Sequence, residues 1–489
     1  MAVTSSSVGV FPDARRATGA GRLREVRDLP GPKGLPLLGN VLQIQLSKVH
    51  LVLERWAREH GPTFVFWMGR DPIAVFADPK VCDRILRDRP DGFTRSTKLR
   101  RIFAEFGADG VFAAEGAAWR QQRKLAVHAL AQRHLRTQYD ALALVAGRLK
   151  ARWDRLAATG ETIEITEEFK RFTVDSTTLI AFGYDINTIE QQGDVIQRKL
   201  ELIFPMLSRR LFALVPWWRF VRLPIDHRTD RALADLADWL KPLVADARAR
   251  LAADPARAET PANFLEAMVA ARDDDGHPFT EEVLFANLLT MLVAGEDTTA
   301  YTLAWAVHEL CDSPASVAAL REEADAIVGA SPYPADIDVA NRLEVAGAVA
   351  SETMRLRPVA PFMFLNALEE TVVEDVRIPA GAKLAVLSRP AALDAAHFAD
   401  PAAFNPQRWI EETTPHDMRV SIPFGSGPRI CPGRALAQLE MKLVLAMLYR
   451  NFEVERVGPA SDVVEDFSFT MMAKGLKVRL RPRAPASSL

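Results

Sequence analysis

Phe424-Gly425-Ser426-Gly427-Pro428-Arg429-Ile430-Cys431-Pro432-Gly433 is the stretch on which the reading of this chain turns. Three glycines around one cysteine describe a tight loop whose backbone comes close to something flat or bulky. The cysteine stands just before a helix running from about Gly433 to Tyr449, where unpaired N–H groups and the helix dipole stabilise a thiolate. A thiolate so placed is a soft metal ligand. A lone cysteine beside a glycine turn is more often a small buried residue; it is the F-G-x-G-x-R-x-C-x-G spacing that sets this one apart.

Working outward, the clearest element is a long apolar helix. Thr280 is its expected N-cap, with Glu281 and Glu282 in the first turn where the dipole favours them. It can continue to about Leu310, roughly 45 Å at ~1.5 Å per residue, and a helix so long and apolar must cross the middle of a large domain. Within it, Ala294-Gly295-Glu296-Asp297-Thr298-Thr299 needs an explanation, because a mid-helix glycine costs about 1 kcal/mol. A local opening of the helix is one. Ala294 and Thr298, four apart, share a face. Ser313-Pro314 start the next helix, and Asn341 to Arg355 form another, in which Glu352 and Arg355 can pair. Strands are expected over Thr371 to Leu387. Towards the N-terminus, the stiff segment Leu29 to Pro36 leads to a helix over His50 to His60. Strands at Thr63–Met68 and Ile73–Ala77 then flank the turn Gly69-Arg70-Asp71-Pro72. From Val81 to Leu310 the pattern is overwhelmingly helical. The acidic loop Asp273 to Pro278 reads as a solvated connector without the ligand spacing of a calcium loop. The fold class is therefore mainly α with small β-sheets: a single large domain over residues 29–484, a disordered leader over 1–28 and a tail over 485–489.

Composition excludes several classes. The 489 residues carry 61 Lys+Arg and 63 Asp+Glu, and 61 − 63 gives −2, which argues against a nucleic-acid binder working through a general basic field. Three scattered cysteines, Cys82, Cys311 and Cys431, with no C-x-x-C, are neither a disulfide framework nor a zinc finger. They point to a reducing compartment. No run approaches the ~20 apolar residues of a membrane span; the longest, Leu211 to Trp218, is interrupted by a proline. The leader has no apolar core, so it is not a secretory signal. Arg15, Arg16, Arg22, Arg24 and Arg27 raise a mitochondrial transit peptide as an alternative, but Asp13, Glu25 and Asp28 dilute it, and a cytoplasmic protein is the expectation.

The Phe424–Gly433 stretch closely resembles the haem-binding loop of cytochrome P450 proteins, and further matches follow in that family's order. The resemblance implies haem b (iron protoporphyrin IX) as cofactor. Cys431 would be the thiolate on its iron, Arg429 would hold a haem propionate, and Phe424 would pack near the sulfur. Gly425 belongs to the same cofactor loop, and Gly433 would let the last helix approach the porphyrin. The Ala294–Thr299 segment resembles the oxygen-activation motif, with Ala294 facing the haem, Thr298 assisting by hydrogen bonding and Asp297 relaying protons. Glu352-x-x-Arg355 is similar to the structural ion-pair motif, completed by Arg408. Trp119 and Arg123 match the W-x-x-x-R pattern that reaches the other propionate. Two departures stand out. Ala392-Leu393-Asp394 replaces a frequent His-Arg-Asp, and Leu365-Asn366 occupy the neighbourhood where a further arginine often follows. Propionate anchoring would then rely on Trp119, Arg123 and Arg429.

The activity so implied is a monooxygenase that inserts one oxygen atom from O2 into a hydrophobic substrate, a fatty acid or similar. Electrons would come from a separate ferredoxin or flavodoxin-type donor with its reductase, meeting a basic patch of Arg120, Lys124, Arg434 and Lys442 on a monomeric enzyme. A peroxide-driven peroxygenase is the alternative enzyme and a haem gas sensor the non-enzymatic one; the Asp297/Thr298 pair favours the monooxygenase. Pocket candidates are Phe103, Phe106, Phe112, Asn287, Thr290, Met291, Phe362, Met363, Met471 and Met472, mostly apolar or soft. The Phe106–Phe112 segment looks like that of soluble fatty-acid hydroxylases, with Phe106 over the haem and Arg70 meeting a carboxylate at the channel mouth. Phe212, Trp217, Trp218 and Phe220 form a lid, a membrane-touching patch or plain core.

Overall fold

Thr280 caps the long helix as its sequence demands, its hydroxyl accepting the Val283 N–H at 3.4 Å, and the helix runs unbroken from Glu281 to Leu310. The computed structural model describes residues 23–191, 195–273, 275–411 and 417–483. Because the helix is apolar on nearly every side, it is buried along most of its length. Helices Ile165–Thr177, Glu344–Leu356 and Arg434–Asn451 pack against it. Trp305, Leu303, Phe169, Phe172 and Leu443 belong to the shared core, each almost fully buried.

The helix expected over Asn341 to Arg355 runs over Glu344–Leu356, and a separate short helix, Ile337–Asn341, precedes it. Ile337–Asn341 is capped by Asp336, whose carboxylate accepts the Val339 N–H. Glu344–Leu356 is capped from outside the segment by Glu323, which accepts the Val345 and Ala346 N–H groups at 2.6 and 3.0 Å. A cap borrowed from another helix leaves no local signature.

A five-stranded sheet runs in the order Thr63–Met68, Asp71–Phe76, Lys383–Leu387, Phe362–Ala367, Phe93–Arg95. Only the Asp71–Phe76 and Lys383–Leu387 pair is parallel. Strand Phe362–Ala367 lies outside the expected Thr371–Leu387 region, since its apolar residues do not alternate with polar ones. Val464–Ser468 and Thr470–Lys474 form a hairpin. Phe452–Arg456, Lys477–Pro482 and Thr162–Glu164 make a further sheet.

The chain enters the fold earlier than Leu29. Arg24–Glu25 pairs parallel with Val376–Arg377, the Arg24 guanidinium grips the Asp375 carboxylate at 2.6 and 2.7 Å, and Val26 is buried. The end of the expected leader is thus a β-strand; the remainder, with Arg15, Arg16 and Arg22, and the tail 485–489 lie outside the described residues. The acidic loop also differs from its reading. Asp273, Asp275 and His277 do alternate, and their ligand atoms gather within 4.8 Å. Asp273 is already engaged as a turn former, accepting the Asp275 and His277 N–H groups. Among the described residues no helix is long and apolar enough to cross a membrane.

Candidate active site

The cysteine loop is fixed by its glycines. Gly427, at φ +71°, leaves no room for a side chain: a Cβ would lie 2.5 Å from the Arg87 Cα and 2.8 Å from the Leu86 carbonyl oxygen. The loop therefore leans on helix Pro79–Arg87, an approach helped by a hydrogen bond from Ser426 to Asp83. Gly425 takes φ +76°. The Cys431 N–H closes the turn onto the Phe424 carbonyl at 2.9 Å, and helix Arg434–Asn451 begins three residues later. Burial pushes the Cys431 thiol up, while the Gly433 and Arg434 N–H groups and the Arg123 guanidinium pull it back. Cys431 is ringed by protein yet open to solvent on one side. Arg123 is held there by the Ile430 carbonyl at 2.5 Å. At Gly433 the backbone is unstrained, and a Cβ would meet only the Cys431 sulfur, at 3.8 Å.

On the central helix, Thr298 donates its hydroxyl to the Ala294 carbonyl at 2.9 Å, and Thr302 does the same to Thr298 at 2.8 Å. Asp297 is buried and hydrogen-bonded with Tyr301 one turn on, whose phenol burial and that carboxylate push well above its usual range. Gly295 answers a different need from helix opening. A Cβ there would lie 2.4 Å from the Thr177 hydroxyl and 3.0 Å from its methyl, so the glycine lets helix Ile165–Thr177 approach. Thr173 seals the contact by donating to the Glu296 carbonyl at 2.9 Å. One turn below, Glu440 of the last helix is enclosed; Ser176 donates to it at 2.6 Å and Thr299 also hydrogen-bonds to it.

Around Arg429, two residues before the cysteine, gathers a cluster of arginines. Arg429 pairs with Glu115, donates to the Ala114 carbonyl at 3.0 Å and lies 4.3 Å over the Trp119 ring. Arg89 and Arg95 join it, both buried. Arg95 lies 3.6 Å over the Phe112 ring. Burial and the Arg429 charge push Arg89 down to about 10, and burial brings Arg429 to about the same. Glu115 is the carboxylate that opposes all three. These guanidiniums outnumber the carboxylate, and the charges of Arg100 and Arg123 on Arg429 add to the excess. Nε of Arg89, Arg95, Arg100 and Arg429, and Nη2 of Arg89, are buried without a partner. Buried charge in that state is costly. A group bearing two carboxylates and a thiophilic metal answers both halves of the site, so the residues present fit haem.

Behind the cysteine loop, Glu352 is fully enclosed. It receives Arg355 at 2.8 Å on both oxygens, Arg408 at 3.0 Å, Trp409 Nε1 at 2.9 Å and the Asn405 N–H at 2.9 Å. Burial pushes Glu352 up, but Arg355 and these donors outweigh it and hold its carboxyl below the usual range. Arg355 also binds the carbonyls of Ala392, Pro401 and Ala403, which ties the loop ahead of Arg408 to the helix.

Several pocket candidates have other duties. Asn287 accepts the Val111 N–H at 2.9 Å and donates to the Val283 carbonyl. The Thr290 hydroxyl donates to the Ala286 carbonyl at 2.7 Å and lies where a Gly110 side chain would be. Both brace the loop before Trp119. Met471 is core, its backbone hydrogen-bonded to Val359 and Trp305. Phe106 packs under the Arg210 guanidinium, 4.8 Å away, and Arg210 is itself paired with Asp226. Phe112, instead of Phe106, is the ring beside the arginine cluster. Phe103, Phe112 and Phe204 surround Phe469, at 5.7, 6.2 and 6.1 Å between centroids. Phe469 sits at the hairpin tip with φ +73°, a strained position for an aromatic residue with no local sequence signal. Met291, Phe362, Met363 and Met472 are partly buried around the core, and Arg70 is exposed in its turn. Of the lid residues, Phe212 and Trp218 are buried, whereas Phe220 is 78% exposed.

Comparison with known proteins agrees with this architecture. The sequence pattern described as Cytochrome P450 matches residues 29–480. Protein LUTEIN DEFICIENT 5, chloroplastic, of Arabidopsis thaliana is 25% identical over 92% of this chain and 77% of its own. The 25-hydroxyvitamin D-1 alpha hydroxylase, mitochondrial, of Homo sapiens is 28% identical over 90% and 89%. Flavonoid 3'-monooxygenase of Oryza sativa subsp. japonica is 29% identical over 90% and 87%. With a match spanning nearly the whole chain, this protein belongs to the cytochrome P450 family, the haem monooxygenases.

Proposed function

We propose that this P450 monooxygenase hydroxylates an elongated hydrophobic molecule, a fatty acid or similar, at the foot of the aromatic cluster Phe103, Phe112, Phe204 and Phe469. The observation that carries this is the apolar character of the cluster. Asn287 and Thr290, the polar residues expected to face the pocket, are turned onto backbone groups, so apolar contact decides what binds there. Arg70, exposed in its turn beside Gly69, would meet a carboxylate at the entrance.

In this proposal Cys431 holds the haem iron as thiolate, Trp119, Arg123 and Arg429 hold its carboxylates, and Phe424 and Gly433 shape the sulfur side. When bound, haem supplies the reductive activation of dioxygen. The chain's own part is to place and protonate. Ala294 leaves space on the distal side, and the Thr298 hydroxyl, resting on the Ala294 carbonyl, can turn to donate a hydrogen bond towards that space. Asp297, tied to Tyr301, passes protons to the same region. The rings of Phe112 and Phe469 exclude water from it. Glu352, Arg355 and Arg408 fix the proximal loop. Electrons arrive from a separate ferredoxin or flavodoxin-type protein at Arg120, Lys124 and Arg434, all exposed. Lys442 contributes less, being half-buried and bonded to the Asn341 carbonyl. A monomer in a reducing, cytoplasmic setting completes the proposal, in keeping with three free thiols.

Two measurements test it. Titration of the ferric protein with fatty acids, terpenoids and polycyclic compounds should give the strongest spectral shifts with long-chain acids; a response confined to small polar compounds would refute the substrate class. Thr298→Ala should raise hydrogen peroxide release per electron consumed, and unchanged coupling would remove Thr298 from proton delivery.

A further inference from the structure

Strand Phe362–Ala367 borders the arginine cluster but supplies it with no cation. Leu365 is apolar and buried. The Asn366 carboxamide is spent on backbone, accepting the Thr97 N–H at 2.9 Å and donating to the Gly381 carbonyl at 2.9 Å. The neighbouring strand, Phe93–Arg95, pairs with it in antiparallel register, Arg95 opposite Leu365 and Phe93 opposite Ala367. The segment leading into that strand contains Arg89. Its side chain is 2% exposed and reaches across to Met363, with Nη1 3.1 Å from the thioether sulfur. Its Nε and Nη2 have no partner. Sulfur is a weak acceptor, and among the described residues no carboxylate pairs with this guanidinium. Arg89 therefore holds a buried, forked donor pair that meets no acceptor among the described residues.

We infer that Arg89 holds a carboxylate of the haem, standing in, from the adjacent segment, for the cation that Phe362–Ala367 lacks. The inference rests on the reading of Cys431 as a haem site. Arg429 and Arg95 flank Arg89, and Glu115 is the carboxylate that acts on all three among the described residues. The cluster carries an excess of positive charge that ionised carboxylates would balance. A guanidinium presenting two N–H groups in one plane is the geometry that binds a carboxylate in fork fashion.

The test is haem release from the ferric holoprotein to excess apomyoglobin. Arg89→Met should release haem at least about tenfold faster than the parent, the loss expected for a charge-assisted hydrogen-bond pair, and Arg89→Lys should fall between them. Intermediate release from Arg89→Lys, which restores the charge without the fork, is a partial rescue that a merely structural role would not produce. If Arg89→Met does not accumulate as holoprotein, Arg89→Lys and Arg89→Gln carry the same comparison. Equal release rates, or Arg89→Lys releasing haem as fast as Arg89→Met, would overturn the assignment provided the parent retains its thiolate-type carbon monoxide spectrum. Absence of that spectrum in the parent would instead overturn the haem-thiolate reading itself.

Discussion

Glu440 offers a sharp test of how the helices behind the site are held together. It lies fully enclosed between the central helix and helix Ile165–Thr177, with hydrogen bonds from Ser176 and Thr299, and burial pushes its carboxyl up to about 7 from a free value of 4.5. The folded chain therefore holds this proton more tightly than the unfolded chain. Its contribution to stability is fully present below pH 4.5 and is lost as pH rises through 7. At ~1.4 kcal/mol per pH unit the difference amounts to about 3 kcal/mol in all, of which about 2–3 kcal/mol falls between pH 5 and 8. Glu440→Gln keeps an acceptor for Ser176 and removes the titration. Urea midpoints of the two holoproteins at pH 5, 6, 7 and 8 should show the parent losing ground steadily, with the variant nearly level at pH 5 and clearly more resistant at pH 8. An identical pH slope for parent and variant would refute the reasoning, since it would mean that Glu440 is ionised and satisfied throughout.

Gly295→Ala should lower the melting temperature, because its methyl meets Thr177 at 2.4 Å and such overpacking costs ~1–3 kcal/mol. Adding Thr177→Ala should recover most of the loss, whereas an undamaged single variant would point back to a purely conformational role for the glycine. Glu352→Ala strands Arg355 and Arg408 without a counter-charge and should cost ~3–5 kcal/mol, read as a collapse of thermal stability and holoprotein yield; a tolerated substitution would show that the cluster is not what fixes the loop.

The features legible in the sequence are those whose causes are local. The cap at Thr280, the apolar length up to Leu310 and the glycine-ringed Cys431 each depend on residues within a few positions, and each stands where expected. Glu352 and Arg355 pair one turn apart on their helix, whereas Arg408 reaches them from far along the chain and was legible only through the family resemblance. What escaped the sequence depends on a partner far along the chain. Gly295 is required by Thr177, not by its own helix. A helical wheel puts Asn287 and Thr290 on one face but cannot say that Val111 and Gly110 lie against it. Phe106 and Phe112 are equivalent as residues six apart in a glycine-bearing loop; only the positions of Arg210 and Arg95 tell them apart. Arg89 and Phe469 carry no pattern, and their significance appears only as unsatisfied donors and a positive φ.

The central claim is that Cys431 binds the haem iron as a thiolate. Its most direct test is the carbon monoxide difference spectrum of the dithionite-reduced protein. The parent should show the strongly red-shifted Soret band of a thiolate-ligated haem, and Cys431→His should lose it while still binding haem. A histidine-type spectrum from the parent, or a red-shifted band that survives loss of Cys431, would contradict the account.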